Sequence, residues 1–139
     1  MAWRNENPFI PESEIKVEVT KATVRFADDF GRYLVEGENK LTTTQLRKFF
    51  GEVKRQQLQG YNATDFVLLK PKLAYAVGRS KSNISNPNKI NKINKIVDFY
   101  DVMSRAIDLV ENDKHFKNFI KVFEAIVAYH KVAETGIKV

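Results

Sequence analysis

A chain of 139 residues that is 43% hydrophobic and 29% charged, with 6 Gly and 4 Pro, has the composition of one soluble domain around a single core. No apolar run approaches the roughly 20 residues a membrane-spanning helix needs. The absence of Cys excludes disulfides, thiol nucleophiles and Cys-ligated metal sites. The first residues lack the pattern of a secretory signal, so a cytoplasmic address is expected. The net charge of +6 is unevenly spread: residues 1–38 carry 5 Lys/Arg against 8 Asp/Glu, residues 39–95 carry 12 against 2, and residues 96–139 carry 6 against 7. So concentrated a positive charge repels itself and points to a polyanionic partner, nucleic acid before an anionic membrane surface. A basic surface that only maintains solubility fits the same count.

Residues 1–11, with Pro8 and Pro11 and no periodicity, read as a flexible tail. From Glu12 onward the signal is mixed: Ile15, Val17 and Val19 alternate as in a strand, whereas Ala22, Phe26, Phe30 and Tyr33 recur at helical spacing. A helix is expected from about Lys21, closed by Gly37, with residues 14–20 undecided. Thr42 followed by Gln45 is a capping box opening a helix that runs to about Gln59 and stops at Gly60. Asn62 is the next start signal. Pro71 then either kinks the segment or sits in the first turn of a second helix running to about Arg79. Residues 80–88 have loop composition, and the following Asn/Lys/Ile repeat leads into a helix to about Val110. A last helix, capped by Asn112 or Asp113, carries Phe116, Phe119, Ile120, Phe123, Ile126 and Val127 as an apolar stripe from Lys114 to about Glu134. The expected fold is an all-α, single-domain bundle of about five helices.

The cations fall on defined faces. On the helix from Thr42, Arg47, Lys48, Lys54 and Arg55 lie opposite Leu46, Phe49, Phe50 and Val53, with Gly51 in the middle of the basic face. Because Gly costs about 1 kcal/mol against Ala inside a helix, Gly51 hints at another backbone approaching closely there. An incidental Gly on a solvated face is the competing interpretation. Lys72, Tyr75 and Arg79, at i, i+3 and i+7, make a cation–aromatic–cation strip able to meet phosphates and stack on an unpaired base. Tyr75 packing on a neighbouring helix is the alternative. Lys81, Lys89, Lys92 and Lys95 add charge around the repeat.

Catalytic equipment is sparse. His130 lies in the apolar stripe and reads as a core histidine donating to a neighbour. Glu111 and His115, at i and i+4, lack a further ligand to complete a metal site. Asp98, Asp101 and Asp108 share a face with Arg105, expected to serve docking to a neighbouring subunit more than Mg²⁺ chemistry. Nucleotide-binding loops, nucleophile elbows and zinc-protease motifs are absent. No catalytic residue, metal or cofactor is therefore assigned.

Three strings, LTTTQLRKFFGEVK at 41–54, LLKPKLAYAVGR at 68–79 and FKNFIKVFEAIVAYHK at 116–131, resemble the small subunit of the type III-A CRISPR effector, the Csm complex. The resemblance implies a non-catalytic, all-α protein stacked head to tail with copies of itself, beside backbone and large subunits, contacting crRNA and target RNA without sequence preference. Carried onto matching positions, it points to Arg47, Lys48, Lys54, Lys70, Lys72 and Arg79, with Lys131 in the third string. Charge and pattern add Arg55, Tyr75 and Lys81 to the expected RNA contacts. Lys89, Lys92 and Lys95 rest on charge alone. A small helical metal-dependent nuclease and a stand-alone adaptor protein are the competing functions.

Overall fold

The computed structural model describes Trp3, residues 7–82 (side chains through residue 79) and residues 95–137, and among these it holds seven helices and no strand. In chain order they are α1 (Glu12–Lys16), α2 (Lys21–Leu34), α3 (Thr43–Gln59), α4 (Ala63–Val67), α5 (Leu69–Ser82), α6 (Lys95–Asp108) and α7 (Asp113–Thr135). The all-α expectation holds, and five of these helices have 14 residues or more.

Polar side chains set the starts of α2, α3, α4 and α7, each satisfying a backbone N–H that the helix itself leaves unpaired. Thr42 and Gln45 form the expected capping box, with the Gln45 amide donating to Thr42 Oγ1 at 3.1 Å and the Thr42 amide to Gln45 Oε1 at 2.9 Å. Asn62 accepts from the Asp65 amide at 2.9 Å, and Asn112 from the His115 amide at 2.9 Å. Gly60 ends α3 at φ 92°, a conformation L side chains rarely adopt. Pro71 resolves into the second of its two alternatives: Leu68 forms a turn, and Pro71 sits in the first turn of α5, where its missing N–H costs nothing.

Residues 14–20 contain the end of α1 and a corner, not a strand. The Glu14 carboxylate is buried and accepts from the amides and hydroxyls of both Thr20 (2.9 and 2.8 Å) and Thr23 (3.0 and 2.6 Å), closing the N-terminus of α2. Burial raises the Glu14 pKa, but the four hydrogen bonds outweigh it and the net shift is downward.

The structure corrects two boundaries. The described part of the expected tail, Trp3 and residues 7–11, is not free: Trp3 and Ile10 are buried, and Trp3 meets Phe26, Phe30 and Tyr33 with ring centroids 5.9, 4.9 and 5.1 Å apart. Aromatic burial needs no periodicity, which is why the pattern missed it. Residues 80–82 continue α5 instead of opening the expected loop, since Ser and Lys do not break a helix and no Pro arrives before Pro87. The rest of that loop, and Lys89 and Lys92 of the repeat after it, lie outside the described residues.

The core is built on α7, against which α2 packs most extensively, with α1 and α3 beside it, while α5 packs on α6. Aromatic rings link these helices in sequence: Phe30 to Phe99 (6.5 Å), Phe99 to Phe49 (5.8 Å), Phe49 to Phe123 (5.3 Å), Phe123 to Phe119 (6.3 Å) and Phe119 to Phe66 (5.1 Å). His130 is buried in this core, and its Nε2 donates to the Leu41 carbonyl at 2.8 Å, as expected for a structural histidine.

Gly31 of α2 lies against the backbone of α7. A Cβ there would lie 2.7 Å from the His130 backbone N and 2.8 Å from Tyr129 atoms, whereas a Cβ at Gly51 would meet nothing within 4 Å. The backbone approach expected at Gly51 is therefore not made among the described residues. It is made at Gly31 instead. Gly31→Ala is expected to destabilise by about 2 kcal/mol or more through overpacking against immovable backbone. Gly51→Ala should stabilise the isolated chain by up to about 1 kcal/mol. Urea denaturation of both variants checks the opposite signs.

Candidate nucleic-acid interface

Lys48 from the basic face of α3 and the cation–aromatic–cation strip of α5 meet at one cleft of about 420 Å³. Leu41, Phe49, Leu73, Ile96 and Phe99 supply its apolar surface, and Lys48, Lys72, Tyr75 and Arg79 line it with them. The i, i+3, i+7 spacing of Lys72, Tyr75 and Arg79 keeps all three on the cleft side of α5. Tyr75 is 69% exposed, so it does not pack into the bundle. Lys48 is exposed and makes no ion pair among the described residues. Arg47, also exposed and without such a pair, lies on α3 outside the cleft lining.

Glu52 organises the neighbouring cations. It accepts from Arg55 at 2.6 and 3.2 Å, from Lys72 at 2.7 Å and from Gln56 at 3.3 Å. The Arg55 bonds, opposed by burial and reinforced by Lys72 and Gln56, lower its pKa to about 2. Arg55 also reaches Asp65 at 3.2 Å and Gln59 at 2.8 Å, which makes it a brace between α3 and α4.

Other expected contact residues are also engaged within the fold. Lys54 bridges to Glu124 of α7 at 3.0 Å and lies over the Phe50 ring. Lys70 pairs with Asp108 of α6 at 2.6 Å, and Lys131 with Glu134 at 3.6 Å. The side chain of Lys81 lies outside the described residues. Lys95 requires correction: it is only 7% exposed, with Nζ 3.5 Å from the Tyr33 ring centroid, so it presents no surface to RNA. Burial pushes its pKa down, countered by Glu36 and Asp98. Cation–π attraction to Tyr33 offsets part of the cost of taking the ammonium out of water.

The acidic face expected on α6 is partly engaged within the fold, with Asp98 buried, Asp101 half-buried and Asp108 exposed. Asp98 is buried and accepts from the Tyr33 hydroxyl, Asp108 holds Lys70, and Arg105 covers the Phe9 ring at 4.0 Å. Burial, followed by the Asp98 bond, raises the Tyr33 pKa. Glu111 and His115 do not converge on a common point. Glu111 pairs with Lys16 at 2.5 Å, while His115 Nδ1 accepts from the Glu111 amide at 3.1 Å. Among the described residues no group of three or more His, Asp or Glu could hold a metal ion.

One cationic feature escaped the sequence reading. Lys114, Lys117 and Lys121 are exposed on α7 and line a shallow depression with Val17 and Glu18, with Lys117 paired to Asp113 at 3.1 Å. Their i, i+3, i+7 spacing is the available signal, hidden by the near-neutral total of residues 96–139.

A sequence-family profile described as Csm2 Type III-A matches residues 18–135. No curated protein and no solved structure matches the chain. No helix among the described residues is long and apolar enough to cross a membrane.

Since Glu52 has a folded-state pKa near 2 against an ordinary value of 4.5, its contribution to stability is full above about pH 4.5 and is lost as pH falls towards 2. Glu52→Gln is expected to cost about 1 kcal/mol at pH 7, discounted for partial exposure. Its deficit against the parent chain should narrow steadily between pH 4.5 and 2, as read from denaturation midpoints.

Proposed function

The chain belongs to the Csm2 Type III-A family, the small subunits of the type III-A CRISPR Csm complex, and from that membership we propose that it is a non-catalytic RNA-binding subunit. Copies of it stack head to tail beside the backbone and large subunits and hold crRNA and target RNA without reading their sequence. The observation that carries this reading is the convergence of Lys48, Lys72, Tyr75 and Arg79 on one cleft between α3 and α5. Their ammonium and guanidinium groups suit phosphate oxygens, which carry no sequence information. Guided complexes leave sequence recognition to base pairing, so a protein that meets backbone and A-form shape is sufficient. Lys48 and Arg47 are offered as primary phosphate contacts. Lys72 and Arg79 accompany them at the cleft, Lys72 being held in place by Glu52.

Lys54, Arg55, Lys70 and Lys131 take a secondary place, because each is tied to a carboxylate of the fold and lies outside the cleft lining. The ammonium groups of Lys70 and Lys131 each retain two further donors after their one ion pair, so these two can still add phosphate contacts. A cytoplasmic location accompanies the proposal, as the place where the guide RNA and its complex would assemble.

Three or four phosphate contacts on a single strand correspond to a salt slope of about −0.7 per contact, or roughly a 20- to 50-fold loss of affinity between about 50 and 200 mM salt. Fluorescence anisotropy with the isolated chain is expected to show this loss for RNAs of unrelated sequence. Lys48→Ala should reduce the slope by about 0.7. A tagged chain recovered from its host should bring a large subunit, a repeated backbone subunit and uniform short RNAs. Salt-insensitive binding to a protein partner alone, or RNA cleavage lost on His115→Ala, would overturn the reading.

A further inference from the structure

The cations explain contact with phosphates, but they leave the apolar interior of the cleft without a use. Phe49 and Phe99, 8% and 1% exposed, belong to its lining in edge-to-face contact, 5.8 Å and 89° apart, with Leu73 and Ile96, each 2% exposed, beside them. Beside them stands Tyr75, with 69% of its surface in water. A surface built only for phosphates needs none of this, and a cavity of about 420 Å³ falls in the roughly 300–1,000 Å³ range of small-ligand pockets. We propose that the cleft receives one unstacked base of the bound RNA, stacked against Tyr75 beside the apolar lining, while Lys48, Lys72 and Arg79 hold the flanking phosphates. The proposal rests on the RNA-binding reading above and narrows its ligand to a strand with at least one base out of a continuous stack.

Charge selects this occupant over an apolar protein segment. Three cations line the opening, and the one carboxylate there, Glu52, is already shared between Arg55 and Lys72. Few groups are placed to read the edge of a base. Thr44 and Gln45 are the neutral polar residues of the lining, and Gln45 Oε1 is committed to the Thr42 amide. The pocket would therefore accept bases of any identity, as stacking on an aromatic ring does in single-strand binders. An uninterrupted A-form duplex keeps its bases stacked and could meet only the rim.

Anisotropy titrations of the full chain against a short single strand, the same strand fully paired, and the same strand carrying abasic sites throughout test the pocket. The intact strand is expected to bind about tenfold more tightly than either, the effect of one stacked base. Tyr75→Ala should remove that advantage without changing the salt slope or the affinity for the abasic strand, and Tyr75→Phe should restore it. The exposure of Tyr75 makes loss of folding an unneeded explanation, and circular dichroism of each variant checks it. Equal affinity for all three RNAs, still salt-dependent and indifferent to Tyr75→Ala, overturns the base pocket and leaves RNA binding standing. Absence of binding to every RNA overturns both. A Tyr75→Ala chain that binds RNA normally yet drops out of the assembled complex gives the cleft to a protein segment and also overturns the proposal.

Discussion

The edge-to-face contact of Phe49 with Phe99 joins α3 to α6. Both rings are buried, one from α3 and one from α6, and both belong to the aromatic series that runs from Phe30 through Phe123 to Phe66. Such pairs contribute about 0.5–1.5 kcal/mol each beyond their buried area and favour particular ring angles. The same two rings belong to the lining of the cleft. Core packing and surface chemistry therefore share side chains: whatever fixes the angle of α3 against α6 also fixes where Lys48 stands relative to Tyr75 on α5, which packs against α6.

Electrostatics follows from the same arrangement. Residues 39–95 hold only Glu52 and Asp65 against twelve cations, and both carboxylates are used, bracing Arg55 and holding Lys72. Further anions arrive from residues 96–139, Asp108 for Lys70 and Glu124 for Lys54. The segregation of charge along the sequence thus becomes attraction in the folded chain, with the basic middle drawn onto α6 and α7. What remains for a partner is smaller than the sequence count of +10 and more localised, centred on Lys48, Arg47 and the lining of the cleft.

Local chemistry was legible in the sequence and tertiary chemistry was not. Thr42 with Gln45, Asn62, Gly60 and Asn112 marked helix ends because capping is decided within a few residues. The shared side of Lys72, Tyr75 and Arg79 was legible because helical phase alone determines it. Their meeting with Lys48 across a cleft depends on how α5 lies against α3, which no spacing encodes. Lys95 shows the limit most plainly: it was grouped with the surface lysines on charge, and only the position of Tyr33, 62 residues away, buries it. Gly31 and Gly51 show it again, since a glycine in a helix has the same appearance in sequence whether its missing Cβ faces Tyr129 or open space. Trp3 and Glu14 left no periodic trace, because single buried contacts have no period.

Photocross-linking of the assembled complex on a target RNA containing 4-thiouridine, followed by identification of the modified peptides, tests the RNA-binding cleft most directly. Cross-links on this subunit are expected to concentrate in residues 44–52 and 72–79, the stretches of α3 and α5 that line the cleft, at several positions along the RNA. A complex that contains this subunit and cross-links RNA only through other parts of it, or not through it at all, would contradict the assignment.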